Sequence, residues 1–172
     1  MLITLLKHAD RVKIACLAQL VNVIAPIMTK PGGEAWKQTI FFPFLHASRY
    51  GRGTALNLLV DSPGYADNEF DLVPFIEAVG TWNEEKEELT IFAVNRSQDE
   101  TIQIQGDARD FPDFRVVEQF EFVHPDLKAF NSLDHPNKVI PQKAGDAELN
   151  NGVLETHLPP ASWNVIRLGR RA

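Results

Sequence analysis

Residues 12–28, VKIACLAQLVNVIAPIM, decide how the fold is read. The run opens with Val12, Ile14, Ala15, Cys16, Leu17 and Ala18, apolar and partly β-branched, with almost no polar alternation. That pattern predicts a strand over Val12–Ala18 buried on both faces, as in a parallel sheet covered by helices. Gln19 and Asn22 then interrupt it. Uncharged amides just past the carboxyl end of such a strand stand where α/β folds place ligand-binding residues.

Upstream, Leu2, Leu5, Leu6 and Ala9 recur at helical spacing, with Lys7, His8 and Asp10 off the stripe, so a short amphipathic helix is expected. Helix, turn and strand together form the second half of a βαβ unit that lacks its first strand. No other run in the chain resembles a parallel neighbour, which points to a partial α/β domain. Downstream, Leu20–Glu34 reads as a loop, broken by Pro26, Pro31, Gly32 and Gly33. Pro31-Gly32-Gly33 lacks the spacing of a phosphate cradle and is assigned to turn chemistry. A second helix is expected within Ala35–Tyr50, with Trp36, Ile40, Phe44 and Ser48 on one face and Phe41 and Leu45 beside it. Pro43 is tolerated if the helix starts near Thr39 or Ile40, and Gly51 and Gly53 are stop signals.

From Thr54 the texture changes. Ala55–Val60, Phe75–Trp82, Leu89–Asn95, Thr101–Gln105, Phe114–Phe122, Val153–Leu158 and Ser162–Leu168 are short and rich in Val, Ile, Phe and Thr. Turn residues separate them, and such a series predicts an antiparallel sandwich. Trp82–Leu89 reads as a hairpin, with Glu84, Glu85, Glu87 and Glu88 at a solvated tip. His124–Asp146, rich in proline and charge, is expected to be an irregular excursion with a weak strand near Val139-Ile140.

Composition bounds the function classes. The 172 residues suffice for one domain with a core, or for a small domain plus part of another. Apolar content of 44% and charged content of 23% are those of an ordinary soluble protein. A net charge of −6 with no basic cluster argues against nucleic-acid binding. The one cysteine, Cys16, excludes an internal disulfide and reads as a small buried hydrophobe. No targeting segment stands out, and the apolar run is too short and too interrupted to span a bilayer. A cytoplasmic protein is expected, with no cofactor.

The five histidines show no metal-binding spacing, and no metal site is expected. No GxSxG motif is present. Trp36, Trp82 and Trp163 fit core packing better than a sugar platform. Gln19 and Asn22 remain as the candidate binding residues. Spacing alone fits a structural hydrogen bond better than a ligand contact. The position of the amides at a strand-to-loop edge favours the ligand.

Three segments then carry a resemblance. LLKHADRVKIACLAQLVNVIAPIMT (residues 5–29), GGEAWKQTIFFPFLHASRYGRG (32–53) and LPPASWNVIRLG (158–169) closely resemble the C-terminal end of family fifty-one α-L-arabinofuranosidases, and NEEKEELTIFAVNRS (83–97) is similar to that family's β-domain. The resemblance covers Leu2 to Gly169. It implies a mainly β chain: a C-terminal antiparallel, jelly-roll-like β-sandwich over residues 54–172, preceded over residues 1–53 by the last helix–strand–helix elements of a (β/α)8 barrel. It implies hydrolysis of terminal α-L-arabinofuranosyl groups by a retaining mechanism, with both catalytic glutamates on earlier barrel strands and no catalytic residue in this chain. Gln19 resembles the family's sugar-binding glutamine, and Asn22 is the weaker candidate. An arabinose-containing oligosaccharide is the implied ligand. Self-association, or association with the remaining barrel portion, is expected, with neither nucleic acid nor membrane as partner. The alternative reading is a non-catalytic structural or carbohydrate-binding sandwich module.

Overall fold

The computed structural model describes residues 1–170. In chain order the elements are α1 (Leu2–Lys7), β1 (Ile27–Thr29), β2 (Ala35–Lys37), α2 (Phe41–Tyr50), β3 (Thr54–Leu56), β4 (Gly64–Tyr65), β5 (Val73–Pro74), β6 (Ile76–Asn83), β7 (Glu88–Asn95), β8 (Ile102–Asp107), β9 (Phe114–Phe122), β10 (Glu148–Asn150), β11 (Val153–Leu158) and β12 (Ser162–Arg170). The chain is mainly β, and every strand pairing in it is antiparallel.

The body is a sandwich of a five-stranded sheet, order β3-β6-β7-β12-β9, and a three-stranded sheet, order β10-β11-β8. Period-two alternation sorts the side chains between the faces. On the inner face Leu89, Phe114, Ile166 and Leu168 meet Leu154 from the opposite sheet, and Ile76, Ala78 and Ala93 meet Leu158. Burying each large side chain of this kind contributes roughly 1.5–3 kcal/mol. The outer face of the larger sheet is also covered. Val79, Phe92, Trp163 and Val165 pack against Ile3, Leu2 and Leu6 of α1 and Tyr50 of α2. The molecule therefore has three layers, and β7 and β12 are buried on both sides.

The β6–β7 hairpin and the strands β6, β7, β8, β9, β11 and β12 lie where the β-rich runs placed them; of Ala55–Val60 only Ala55 and Leu56 pair, within β3, and Glu88 lies in β7 bound to Arg167 and not at the tip. The turn between β6 and β7 spans residues 84–87, all exposed, with the Asn83 Oδ1 accepting the Lys86 N–H at 3.1 Å. The 124–146 excursion is irregular, and its one bridge joins Glu121 to Gln142 in place of a strand at Val139-Ile140.

Four further expectations are corrected. Val12–Ala18 forms no strand: it runs as irregular backbone, with Ile14 84% exposed and Cys16 exposed. A parallel strand needs parallel neighbours for its hydrogen bonds, and the described residues supply none. The Leu20–Glu34 loop contains β1, which pairs with β2 in a short hairpin in register Ile27↔Lys37, Met28↔Trp36 and Thr29↔Ala35. The buried face of α2 is Phe42 and His46, not the stripe through Ile40 and Phe44. A helix apolar on several sides gives no unique inward face, and the docking of Tyr50 and Phe42 on the sheet decides it. In α1, Ile3 is the most buried residue, 3% exposed, although the periodic stripe ran through Leu2, Leu5 and Leu6. Pro43 sits in the first turn of α2, where its missing N–H removes no helical bond.

Candidate functional site

The irregular run after α1 ends in a bend that carries Gln19. Ala18, Asn22 and Val23 on this bend have φ of 42°, 63° and 56°. The left-handed region is disfavoured for residues other than glycine, most of all for a β-branched one. Such a cluster persists where surrounding contacts over-determine the backbone.

Asn22 supplies those contacts. Its N–H donates to the Ile27 carbonyl at 2.8 Å, and its carbonyl accepts the Ala25 N–H at 2.9 Å. Its side-chain Oδ1 accepts the Thr29 N–H at 2.7 Å, while Nδ2 donates to Thr29 Oγ1 at 2.8 Å. The amide is thus engaged at both ends, in a half-buried position, and shapes the loop. Gln19 differs: it is exposed, and its amide takes no hydrogen bond among the described residues. The two candidates share one loop, but only Gln19 offers a free donor and acceptor.

Gln19 lines a cleft of about 390 Å³ with Leu17, Leu20, Ile27, Phe41, Phe44 and Ser48. That volume falls within the range of roughly 300–1,000 Å³ typical of small-ligand clefts. Its wall is mostly apolar, with the Gln19 amide and the Ser48 hydroxyl as polar points. The side of α2 expected to face the core, Phe44 and Ser48, instead forms this wall.

Behind the wall, α2 is fixed to the sheet by His46. The ring is 5% exposed and stacks on Phe120 with centroids 5.2 Å apart. Trp163 Nε1 donates to His46 Nδ1 at 3.3 Å. An indole N–H only donates, so Nδ1 carries the lone pair and the ring proton is on Nε2. Burial, assisted by the charge of Arg49, lowers the His46 pKa to about 4, against an opposing pull from Glu118. The histidine is therefore a neutral structural group. At the end of the same helix, Arg167 lies 4.4 Å from the Tyr50 ring centroid. It binds Glu88 through two bonds of 2.7 Å and Glu118 at 2.5 Å, and both carboxyls are held below the usual range.

Other polar groups are committed elsewhere. Asp146 accepts from Thr156 Oγ1 at 2.7 Å and from the His157 N–H at 2.9 Å, and it pairs with the His157 ring at 2.6 Å. Those bonds, the His157 backbone first, lower the Asp146 pKa to about 2. Burial, and then the charge of Asp146, raise the carboxyl of Glu121. Trp82 packs on Phe111 and Phe114, and Trp163 on Phe92, so these indoles serve the core. Among the described residues no group of three His, Cys, Asp or Glu side chains could hold a metal ion. No helix among them is long and apolar enough to cross a membrane.

Residue 131 escaped sequence reasoning. Asn131 is 1% exposed; its Nδ2 donates to Lys37 O at 3.0 Å and Val139 O at 2.9 Å, and its Oδ1 accepts the Val139 N–H at 2.7 Å. A polar residue in a polar excursion gives no local signal of such a long-range role.

Comparison with known proteins adds the following. The family model described as the alpha-L-arabinofuranosidase C-terminal domain matches residues 1–162. An intracellular exo-alpha-(1->5)-L-arabinofuranosidase of Halalkalibacterium halodurans is 54% identical over 99% of this chain and 34% of its own length. The relative of that name, numbered 1, in Bacillus subtilis is 49% identical over 100% of this chain and 34% of its own length. Among solved structures, a family 51 alpha-L-arabinofuranosidase from Bifidobacterium longum superposes with a TM-score of 0.88 at 37% identity, covering 96% of this chain and 31% of that one. The chain thus spans about a third of the length of the curated relatives it matches.

Proposed function

This chain belongs to the alpha-L-arabinofuranosidase C-terminal domain family, and from that premise we propose that it is the C-terminal part of a retaining α-L-arabinofuranosidase. On this reading residues 1–53 close a catalytic (β/α)8 barrel and residues 54–172 form its accessory sandwich. The substrate is an oligosaccharide ending in an α-L-arabinofuranosyl group, as in arabinan or arabinoxylan. That these relatives are intracellular enzymes supports a cytoplasmic setting. The two glutamates of the retaining pair, roughly 5 Å apart across the scissile bond, belong to the barrel and are not residues of this chain.

The observation that carries the reading is the free Gln19 amide at the mouth of a small-ligand cleft. A carboxamide donates and accepts at once, and so can bracket two neighbouring hydroxyls of a sugar. Its work is to orient the ring so that attack on the anomeric carbon starts from a productive geometry. Asn22 serves the same site by fixing the bend. In this reading Val12–Ala18 becomes a strand once barrel neighbours supply its hydrogen bonds, and the exposed Ile14 is then covered. Association with the barrel portion, and self-association of the assembled enzyme, follow as expected partnerships.

A chimera tests this. The upstream two thirds of the Bacillus subtilis relative would be joined to this chain and assayed on p-nitrophenyl α-L-arabinofuranoside. Turnover is expected from the chimera and not from the chain alone. Gln19→Ala in the chimera is expected to lower kcat/KM by roughly a hundredfold. A folded but inactive chimera, or turnover by the purified chain, would refute the proposal.

A further inference from the structure

The bend that carries Gln19 is gripped by the β1–β2 hairpin, at Ile27 and at Thr29. Ile27 and Lys37 face each other across β1 and β2. The Ile27 carbonyl accepts the Asn22 N–H from the site loop at 2.8 Å. The Lys37 carbonyl accepts Asn131 Nδ2 from the excursion at 3.0 Å, across a sequence separation of 94 residues. One side of this pair is therefore held by the bend and the other by a side chain of the excursion between β9 and β10. Asn131 is itself fixed by its two bonds to the Val139 backbone.

We propose that Asn131 is a positioning residue for the Gln19 bend, acting through the Ile27–Lys37 rung and the Asn22–Thr29 hydrogen-bond pair. It touches no substrate. Two physical facts support the coupling. A hairpin with three residues per strand is marginal by itself, so its geometry is set by what holds it. The bend contains three non-glycine residues at positive φ, and these relax unless outside contacts restrain them. Asn131 and Asn22 are the side chains that supply such contacts from the two ends. The accessory sandwich would thereby set the aim of a residue in the sugar site, and not merely stabilise the molecule. This inference rests on the sugar-binding reading of Gln19 for its consequence, though not for the coupling itself.

Native-state hydrogen exchange followed by NMR on the 172-residue chain tests it. In the unsubstituted chain the Asn22, Thr29 and Val139 amides are expected to share one opening, with a common dependence on mild denaturant. Asn131→Ala is expected to speed exchange at Asn22 and Thr29 by about tenfold or more, and to move or broaden the Gln19 side-chain amide signal. Thr29→Val is expected to speed exchange at Asn22 and, through the shared opening, at Val139, and Thr29→Ser to restore both. Asn22 and Thr29 opening independently of Val139 would overturn the proposal, and so would a Gln19 signal indifferent to Asn131→Ala. If Asn131→Ala does not fold, the opening pattern of the unsubstituted chain and the Thr29 pair decide. A parallel titration with L-arabinose separates the two claims. A Gln19 signal that ignores the sugar counts against the binding reading, while the exchange pattern alone decides the coupling.

Discussion

Replacing His46 with phenylalanine gives a pH-dependent change whose size follows from the structure. The ring is 5% exposed, and its pKa is lowered from 6.5 to about 4. The unfolded chain therefore takes up a proton between those values while the native chain does not. Where the unfolded state binds more protons, stability rises with pH. The contribution of His46 is complete above about pH 6.5 and is lost as pH falls toward 4, at about 1.4 kcal/mol per unit and about 3 kcal/mol in all. In His46→Phe that slope disappears. Near pH 7 the variant loses the acceptor for the buried Trp163 N–H, which costs about 1–3 kcal/mol, offset in part by the phenyl ring stacking on Phe120. The native chain is thus the more stable near pH 7, but its advantage should shrink by about 2 kcal/mol by pH 5 and vanish or reverse. Urea unfolding followed by tryptophan fluorescence at about pH 7, 6 and 5 measures this directly. Acidic groups such as Asp146 and Glu88 are present in both proteins and cancel in the difference. A stability difference constant to within about 0.3 kcal/mol over that range would refute the neutral, buried histidine.

Three further outcomes are expected. Gly53→Ala should lower stability by at least about 3 kcal/mol, or roughly 8 °C in Tm, because Gly53 sits at φ 102° and an added Cβ would lie 2.0 Å from the Trp82 carbonyl oxygen; calorimetry reads the shift. Arg167→Lys should cost about 2 kcal/mol, since an ammonium cannot replace the fork that joins Glu88 to Glu118 over Tyr50, and chemical denaturation measures it. Gln19→Ala should change stability by less than about 0.5 kcal/mol, because the residue is exposed, and, if the sugar-binding role proposed for Gln19 holds, should remove the signal change on L-arabinose titration in calorimetry or NMR.

The sandwich could be read from the sequence because its signals are local. The β-branched and aromatic content of Leu89–Asn95 and Ser162–Leu168 marks β7 and β12, and Asn83 with the charged tip marks the turn between β6 and β7. Errors arose where structure depends on distant partners. Val12–Ala18 has the composition of a buried parallel strand but no neighbour among the described residues to pair with, so it lies exposed. The helix α2 is apolar on several sides, and only the docking of Phe42 and His46 on the sheet reveals the inward one. The β1–β2 hairpin is too short for a periodic signal. Gln19 stood out because an amide interrupted an apolar run. Asn131 could not stand out, since its partner Lys37 is 94 positions away.

Ile3, Leu2 and Leu6 lie against Val79, Phe92, Trp163 and Val165 in one continuous apolar cluster. The seam between the N-terminal helices and the sandwich is thus filled with hydrocarbon, not water. Anyone wishing to graft this sandwich onto a foreign catalytic body would have to transplant both helices with it. A cut made at Gly53 would strip the central sheet bare and leave a sticky, aggregation-prone remnant, so evolution too is expected to shuffle these pieces as one cassette.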